Sequence, residues 1–156
     1  QKFNIYYAAL LRRLCQNSRT YHLSVQFALW DVFKTWHQDT SKKLSASSTR
    51  KLRNLAYLLA YLIKKGVYDL RILRGFPDLT QTTHGETSLL RLALMDCMFE
   101  EAKFQGPALL IRAIPDDDAS RTLCECLALF IQHNMLTSLE ASDERDAWAS
   151  FAAALD

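Results

Sequence analysis

A chain of 156 residues, 49% apolar and 23% charged, has the composition of one folded domain with a single core, not of a disordered or fibrous segment. No apolar run approaches the roughly 20 residues that a bilayer-spanning helix needs, and 4 cysteines with 4 glycines leave neither a disulfide framework nor the glycine-rich loops of nucleotide binders. The net charge of +2 conceals a polarity: residues 1–74 carry 14 Lys and Arg against 3 Asp, a net +11, whereas residues 75–156 carry 5 against 14, a net −9.

In chain order, Asn4 is a good N-cap, so a first helix is predicted to about Gln16. Phe3, Tyr7, Leu10 and Leu14 recur at helical spacing as its inward stripe, with Arg12 and Arg13 outward. The next stretch, Tyr21 to Trp36, is the most apolar of all. Val25, Leu29, Val32, Phe33 and Trp36 share one helical face, and Leu23, Phe27 and Trp30 share a second. Only Ser24, Asp31, Lys34 and Thr35 form a polar strip. A helix of that kind is expected to be covered on more than one side, as the interior member of a stack.

The polar run QDTSKKLSASS reads as a surface loop. A third helix, from about Ser48 to Lys65, is stopped by Gly66 in the C′ position and buries Leu52, Leu55, Leu59 and Leu62. Its other side carries Arg50, Arg53, Tyr57, Tyr61 and Lys64, with Lys65 at the end. Interleaved cations and tyrosines track phosphates and stack on unpaired bases, each good stack being worth ~1–3 kcal/mol. The competing reading is a solvated face whose tyrosines rest on a neighbouring helix. Both stay open at this level.

A short helix, about Tyr68 to Arg74, is closed by Gly75, and FPDLTQTTHGE reads as a loop. An apolar helix is then predicted over about Glu86 to Phe104, with Glu86 at the positive end of its dipole. Gly106 and Pro107 close it and open a short helix to Ala113. Asp116, Asp117 and Asp118 precede a helix of about Ala119 to His133, where they serve as cap and dipole partner and also form a negative knob suited to Arg or Lys on a protein partner. Leu123, Leu127 and Phe130 face inward. The last helix, about Ser142 to Leu155, buries Trp148, Phe151, Ala152 and Leu155.

About eight helices and no convincing strand make the expected fold all-α: antiparallel helical hairpins stacked into a HEAT-like α-solenoid, without a sequence repeat of fixed period. The start at Gln1 suggests a single domain, 1–156, cut from a longer protein. Cys15, Cys97, Cys124 and Cys126 are expected as free thiols in a reducing compartment, and Cys124-x-Cys126 with His133 matches no zinc pattern. No metal or cofactor is expected. Nor is catalysis: there is no Gly-x-Ser-x-Gly elbow and no His-Glu-x-x-His, and His22, His37, His84 and His133 are scattered.

The opening FNIYYAALLRRLC, then Tyr21 and QFALWDVF (Gln26 to Phe33), resembles the carboxy-terminal MA-3 domain of nucleolar proteins that pair it with a middle domain of initiation factor 4G. The similarity continues through RNLAYLLAYLIKKGVYDLRIL, Arg53 to Leu73, and more loosely to about Leu139. This resemblance implies a HEAT-related helical stack in the nucleus and nucleolus, needed for 18S rRNA maturation within pre-ribosomes. It implies pre-ribosomal proteins as partners, together with a DEAD-box RNA helicase of the initiation-factor-4A type held chiefly through an upstream domain. It also admits a translation or splicing regulator. Translation-regulating MA-3 domains hold the helicase with a loop reading roughly Glu-Leu-x-Leu-Asp-x-Pro. Here Asp78 stands near the first acid, Gln81 and Thr82 stand at the second, and the proline is missing. Candidate protein-binding residues are thus Asp78 and Asp116 to Asp118. Candidate RNA-binding residues, on pre-rRNA, are Arg50, Arg53, Tyr57, Tyr61, Lys64 and Lys65.

Overall fold

The computed structural model describes residues 3–38, 45–100, 103–104, 118–138, 142–153 and 155. Helix α1 spans Ile5–Asn17, capped by the Asn4 side chain, which accepts the Tyr6 N–H at 3.0 Å. Only Ser18, in extended conformation, separates it from α2, Arg19–Gln38, so the two helices turn back and pack on each other. Helix α3, Ala46–Lys64, starts two residues before its predicted boundary because Ser45, not Ser48, is the cap, accepting the Ser48 N–H at 3.1 Å. It ends at Gly66, whose φ of 66° is the left-handed conformation a helix C′ position favours.

The interior helix is α3, not α2. Leu52, Ala56, Leu59, Ala60, Leu62 and Ile63 of α3 are all buried, a broad face on which the small Ala56 and Ala60 admit close approach. Helix α4, His84–Met98, takes that place and makes the most extensive helix contact among the described residues, through Leu89, Leu90, Ala93, Leu94 and Cys97. Helix α2, by contrast, buries only Leu29 and Phe33 fully. Its Leu23, Phe27 and Val32 are 40%, 55% and 39% exposed, so the expectation of cover on several sides fails. Apolarity measures what a side chain would gain from burial. It does not supply the neighbour.

What fixes α2 is a pair of tryptophan locks. A 3₁₀ turn at Leu70–Gly75, capped by Asp69, presents Gly75 to the Trp30 ring, and the Trp30 indole N–H donates to Ile72 O at 2.9 Å. Near the other end Trp36 lies against Gly85 in the first turn of α4. Phe33, between them and fully buried, stacks on Phe76 with ring centroids 4.2 Å apart. The helix start also differs from its prediction, since Thr83-x-x-Glu86 is a reciprocal capping box: Thr83 N–H donates to Glu86 Oε2 at 2.8 Å and Glu86 N–H to Thr83 Oγ1 at 3.3 Å. Glu86, fully buried, also takes the His37 ring at 3.1 Å, tying the end of α2 to the start of α4.

Helix α4 stops at Met98, short of the predicted Phe104. Beyond it β1, Phe99–Glu100, pairs antiparallel with β2, Lys103–Phe104, with Phe99 opposite Phe104. Aromatic residues at the paired positions favour such a ladder. The predicted short helix 107–113 lies outside the described residues. Helix α5, Asp118–Phe130, runs into a π-helical turn, Ile131–Met135, and a 3₁₀ turn, Leu136–Ser138. Helix α6, Ser142–Ala153, packs on these with Trp148, Phe151 and Ala152 buried as expected, and Leu155 beyond it. The described residues thus form an all-helical stack apart from the one small ladder. None of its helices is long and apolar enough to cross a membrane.

Candidate functional site

The six basic and aromatic positions of α3 part company in three dimensions. Arg50, Arg53 and Tyr57 line an open groove of about 660 Å³ between α3 and the segment before α1, together with Phe3, Thr49 and Asn54. Arg50 and Arg53 are exposed, and among the described residues neither is paired with a carboxylate. Tyr57 is half-buried, its ring 5.9 Å from that of Phe3 and tilted by 50°. A second groove of about 520 Å³ shares Phe3 and Asn54 and continues along α1 past Tyr7 and Leu11 to Leu55 and Leu58. Two guanidinium groups beside an aromatic wall are suited to a phosphate and a stacked base.

The other three positions are placed elsewhere. Tyr61 packs against the core, Lys64 forms an ion pair with Asp96 of α4 at 2.9 Å, and Lys65 is the exposed C-cap residue of α3. The Lys64–Asp96 pair links the cationic first part of the chain to the anionic second part. Phe3 was legible only as an inward member of the first helix. It precedes the N-cap, and as an aromatic outside the first turn it is free to reach α3.

The acidic candidates are differently disposed. Asp78 is half-buried and caps its own loop: its Oδ1 accepts the Thr80 N–H at 2.7 Å, the Thr80 hydroxyl at 2.6 Å and the Gln81 N–H at 3.3 Å. The Thr80 hydroxyl, then its N–H, hold the carboxyl below the usual range. Asp78 thus orders the 76–82 turn. Asp118 is the first residue of α5, and Asp116 and Asp117 lie outside the described residues.

Exposed apolar surface is concentrated at one end. Of ten large apolar side chains exposed among the described residues, nine belong to α1 and α2, including Tyr6, Tyr7 and Leu10. The predicted inward stripe of α1 is therefore wrong for Tyr7, Leu10 and Leu14, which are 64%, 44% and 36% exposed; Ala8 and Cys15 face the core instead. The inward face of α1 is thus the one that carries the small Ala8 and Cys15, with Cys15 Sγ 3.9 Å from the Tyr68 hydroxyl.

The sequence is 26% identical over 144 residues, 92% of the chain, to human nucleolar MIF4G domain-containing protein 1, and 26% identical over 139 residues, 89% of the chain, to the mouse protein of the same name. The chain is thus similar to nucleolar MIF4G-domain proteins. It spans 16% of the human and 15% of the mouse protein. The resemblance carried by Phe3 to Phe33 and by Arg53 to Leu73 points to the same proteins, and the all-helical stack agrees with the MA-3 fold it implies. No family model matches the chain, and no solved structure is a significant match.

Proposed function

We propose that this chain is a non-catalytic interaction domain of a nucleolar factor for small-subunit ribosome biogenesis, making protein contacts within pre-ribosomes during 18S rRNA maturation. The observation that supports this reading is similarity over nine-tenths of the chain to a nucleolar MIF4G-domain protein, joined to a helical stack with nine large apolar side chains left exposed on α1 and α2. Exposed apolar surface concentrated in this way marks a partner-binding face. The DEAD-box helicase partner belongs chiefly to the upstream middle domain, since Asp78 is engaged in its own turn. The test uses the intact parent protein with Tyr6, Leu10 and Leu14 replaced by Ser. Loss from pre-ribosomal fractions with accumulation of 18S precursors is expected, and normal sedimentation and processing would overturn the reading.

A second reading, binding of single-stranded pre-rRNA, is favoured by the convergence of Arg50, Arg53 and Tyr57 on one groove. Two neutralised phosphates give a slope of about −1.4 for log affinity against log salt on single strands. Decauridylate binding with that slope, lost in Arg50→Ala/Arg53→Ala, is expected; undetectable binding at low salt removes this reading.

A further inference from the structure

The two grooves beside α3 share the walls Phe3 and Asn54 and lie in line along the helix. One holds Arg50, Arg53 and Tyr57; the other passes Tyr7 and Leu11 to Leu55 and Leu58. Asn54 and Leu58 follow Arg50 at successive turns, so the floor on α3 runs for about 12 Å, enough for two turns of a third helix. On α1, Tyr7 forms part of the wall, and the exposed Leu10 and Leu14 continue its apolar stripe at helical spacing. The long groove is therefore aliphatic and aromatic over most of its length and cationic at one end.

The charge on these two helices is of one sign. They carry Arg12, Arg13, Arg50, Lys51, Arg53 and Lys64 and no acidic residue, and among the described residues only Lys64 is in an ion pair, with Asp96. A second copy of the chain would bring these cations against one another, and like charges across an interface cost affinity. A nucleic-acid strand has phosphates for the arginines and a base for Tyr57, but its sugars and phosphates gain little against Leu11, Leu55 and Leu58. An extended peptide would lay unpaired backbone N–H and C=O groups on helices whose own are already bonded. A partner helix closes its backbone bonds internally, offers one apolar stripe to the groove, and can carry acidic residues to its cationic end.

We infer that the α1–α3 groove is a docking site for a short amphipathic helix of a protein partner, with an apolar stripe facing Leu11, Leu55 and Leu58 and acidic residues at the end that meets Arg50 and Arg53. The inference rests on the protein-interaction reading for the class of partner, and the two fail separately: a chain that binds no helix can still be lost from pre-ribosomal fractions when Tyr6, Leu10 and Leu14 are replaced. The probe is the synthetic peptide acetyl-Glu-Glu-Leu-Ala-Glu-Leu-Leu-Ala-Gln-Leu-amide, titrated into the methyl- and ¹⁵N-labelled 156-residue chain and followed by NMR. Expected are shifts of the Leu11, Leu55 and Leu58 methyls and of the backbone amides of 50–58, with weaker binding as salt is raised. Arg53→Ala and Tyr7→Ser alter exposed side chains, and each should weaken binding by about tenfold, equivalent to ~1.4 kcal/mol. Retained NMR dispersion of both variants shows that the fold is intact. The site is refuted if peptides with Gln for Glu or Ser for Leu bind equally well, or if shifts fall on another face or nowhere. It is refuted equally if the same methyls respond to raised protein concentration alone, which marks a second copy as the occupant, or if decauridylate shifts them more strongly than the peptide does, which marks nucleic acid.

Discussion

Replacing Gly75 by Ala tests the lock that holds α2 to the rest of the molecule. A Cβ built at this position would lie 2.0 Å from Trp30 Cδ1, 2.5 Å from Cγ and 2.7 Å from Nε1, all well inside van der Waals contact. These atoms sit at the root of a rigid ring whose N–H is bonded to Ile72 O at 2.9 Å, so no free side-chain end can swing aside. The backbone at Gly75 is not in the left-handed region. Without the ring, Gly→Ala would therefore stabilise by ~0.4–1 kcal/mol through the unfolded chain. With it, overpacking costs ~1–3 kcal/mol, and displacing the indole from its acceptor adds ~1 kcal/mol. Set against the unfolded-chain gain, Gly75→Ala should thus destabilise by a net ~1–3.5 kcal/mol in urea denaturation. The same substitution made on Trp30→Ala should be neutral or stabilising, giving a coupling of several kcal/mol in a double-mutant cycle. Equal effects of Gly75→Ala in both backgrounds would refute the lock and the position assigned to α2.

Glu86→Ala removes both the acceptor of the Thr83 N–H and the partner of His37, and should cost ~3 kcal/mol; a loss below ~1 kcal/mol in the same assay would show that the α2–α4 tie is not formed in solution. Cys97, buried against Ala60 O, has its thiol pushed up to about 12 from 9.0, chiefly by burial. The folded protein keeps this proton while the unfolded chain gives it up near pH 9, so stability is unaffected below that pH and falls as pH rises from about 9 towards 12, by up to ~1.4 kcal/mol per pH unit; chemical denaturation of Cys97→Ala should show a flatter alkaline limb. Lys64→Ala breaks the ion pair with Asp96, whose side chains are 21% and 33% exposed, and should cost no more than ~1 kcal/mol without changing RNA affinity, whereas Arg50→Ala should leave thermal stability intact and weaken RNA.

Much of this molecule was settled by local chemistry along the chain. Asn4 as a cap, Gly66 at the close of α3, and the burial of Trp148, Phe151 and Leu155 follow from residue type and helical spacing alone. The Thr83-x-x-Glu86 box was equally local, a spacing that marks a helix start without any tertiary partner. Tertiary structure decided which apolar surface found a neighbour. Val32 and Phe27 are as greasy as Leu29 and Phe33, yet only the second pair meets the 3₁₀ turn and α4, because Gly75 and Gly85 leave room for Trp30 and Trp36 and so set the rotation of α2. The α3 stripe was divided in the same manner: helical spacing put Arg50, Arg53, Tyr57, Tyr61 and Lys64 together, but Phe3 arrives over one end and Asp96 over the other. A sequence specifies which groups seek partners; only the packing of distant segments determines which of them are satisfied inside and which are left to recognise other molecules.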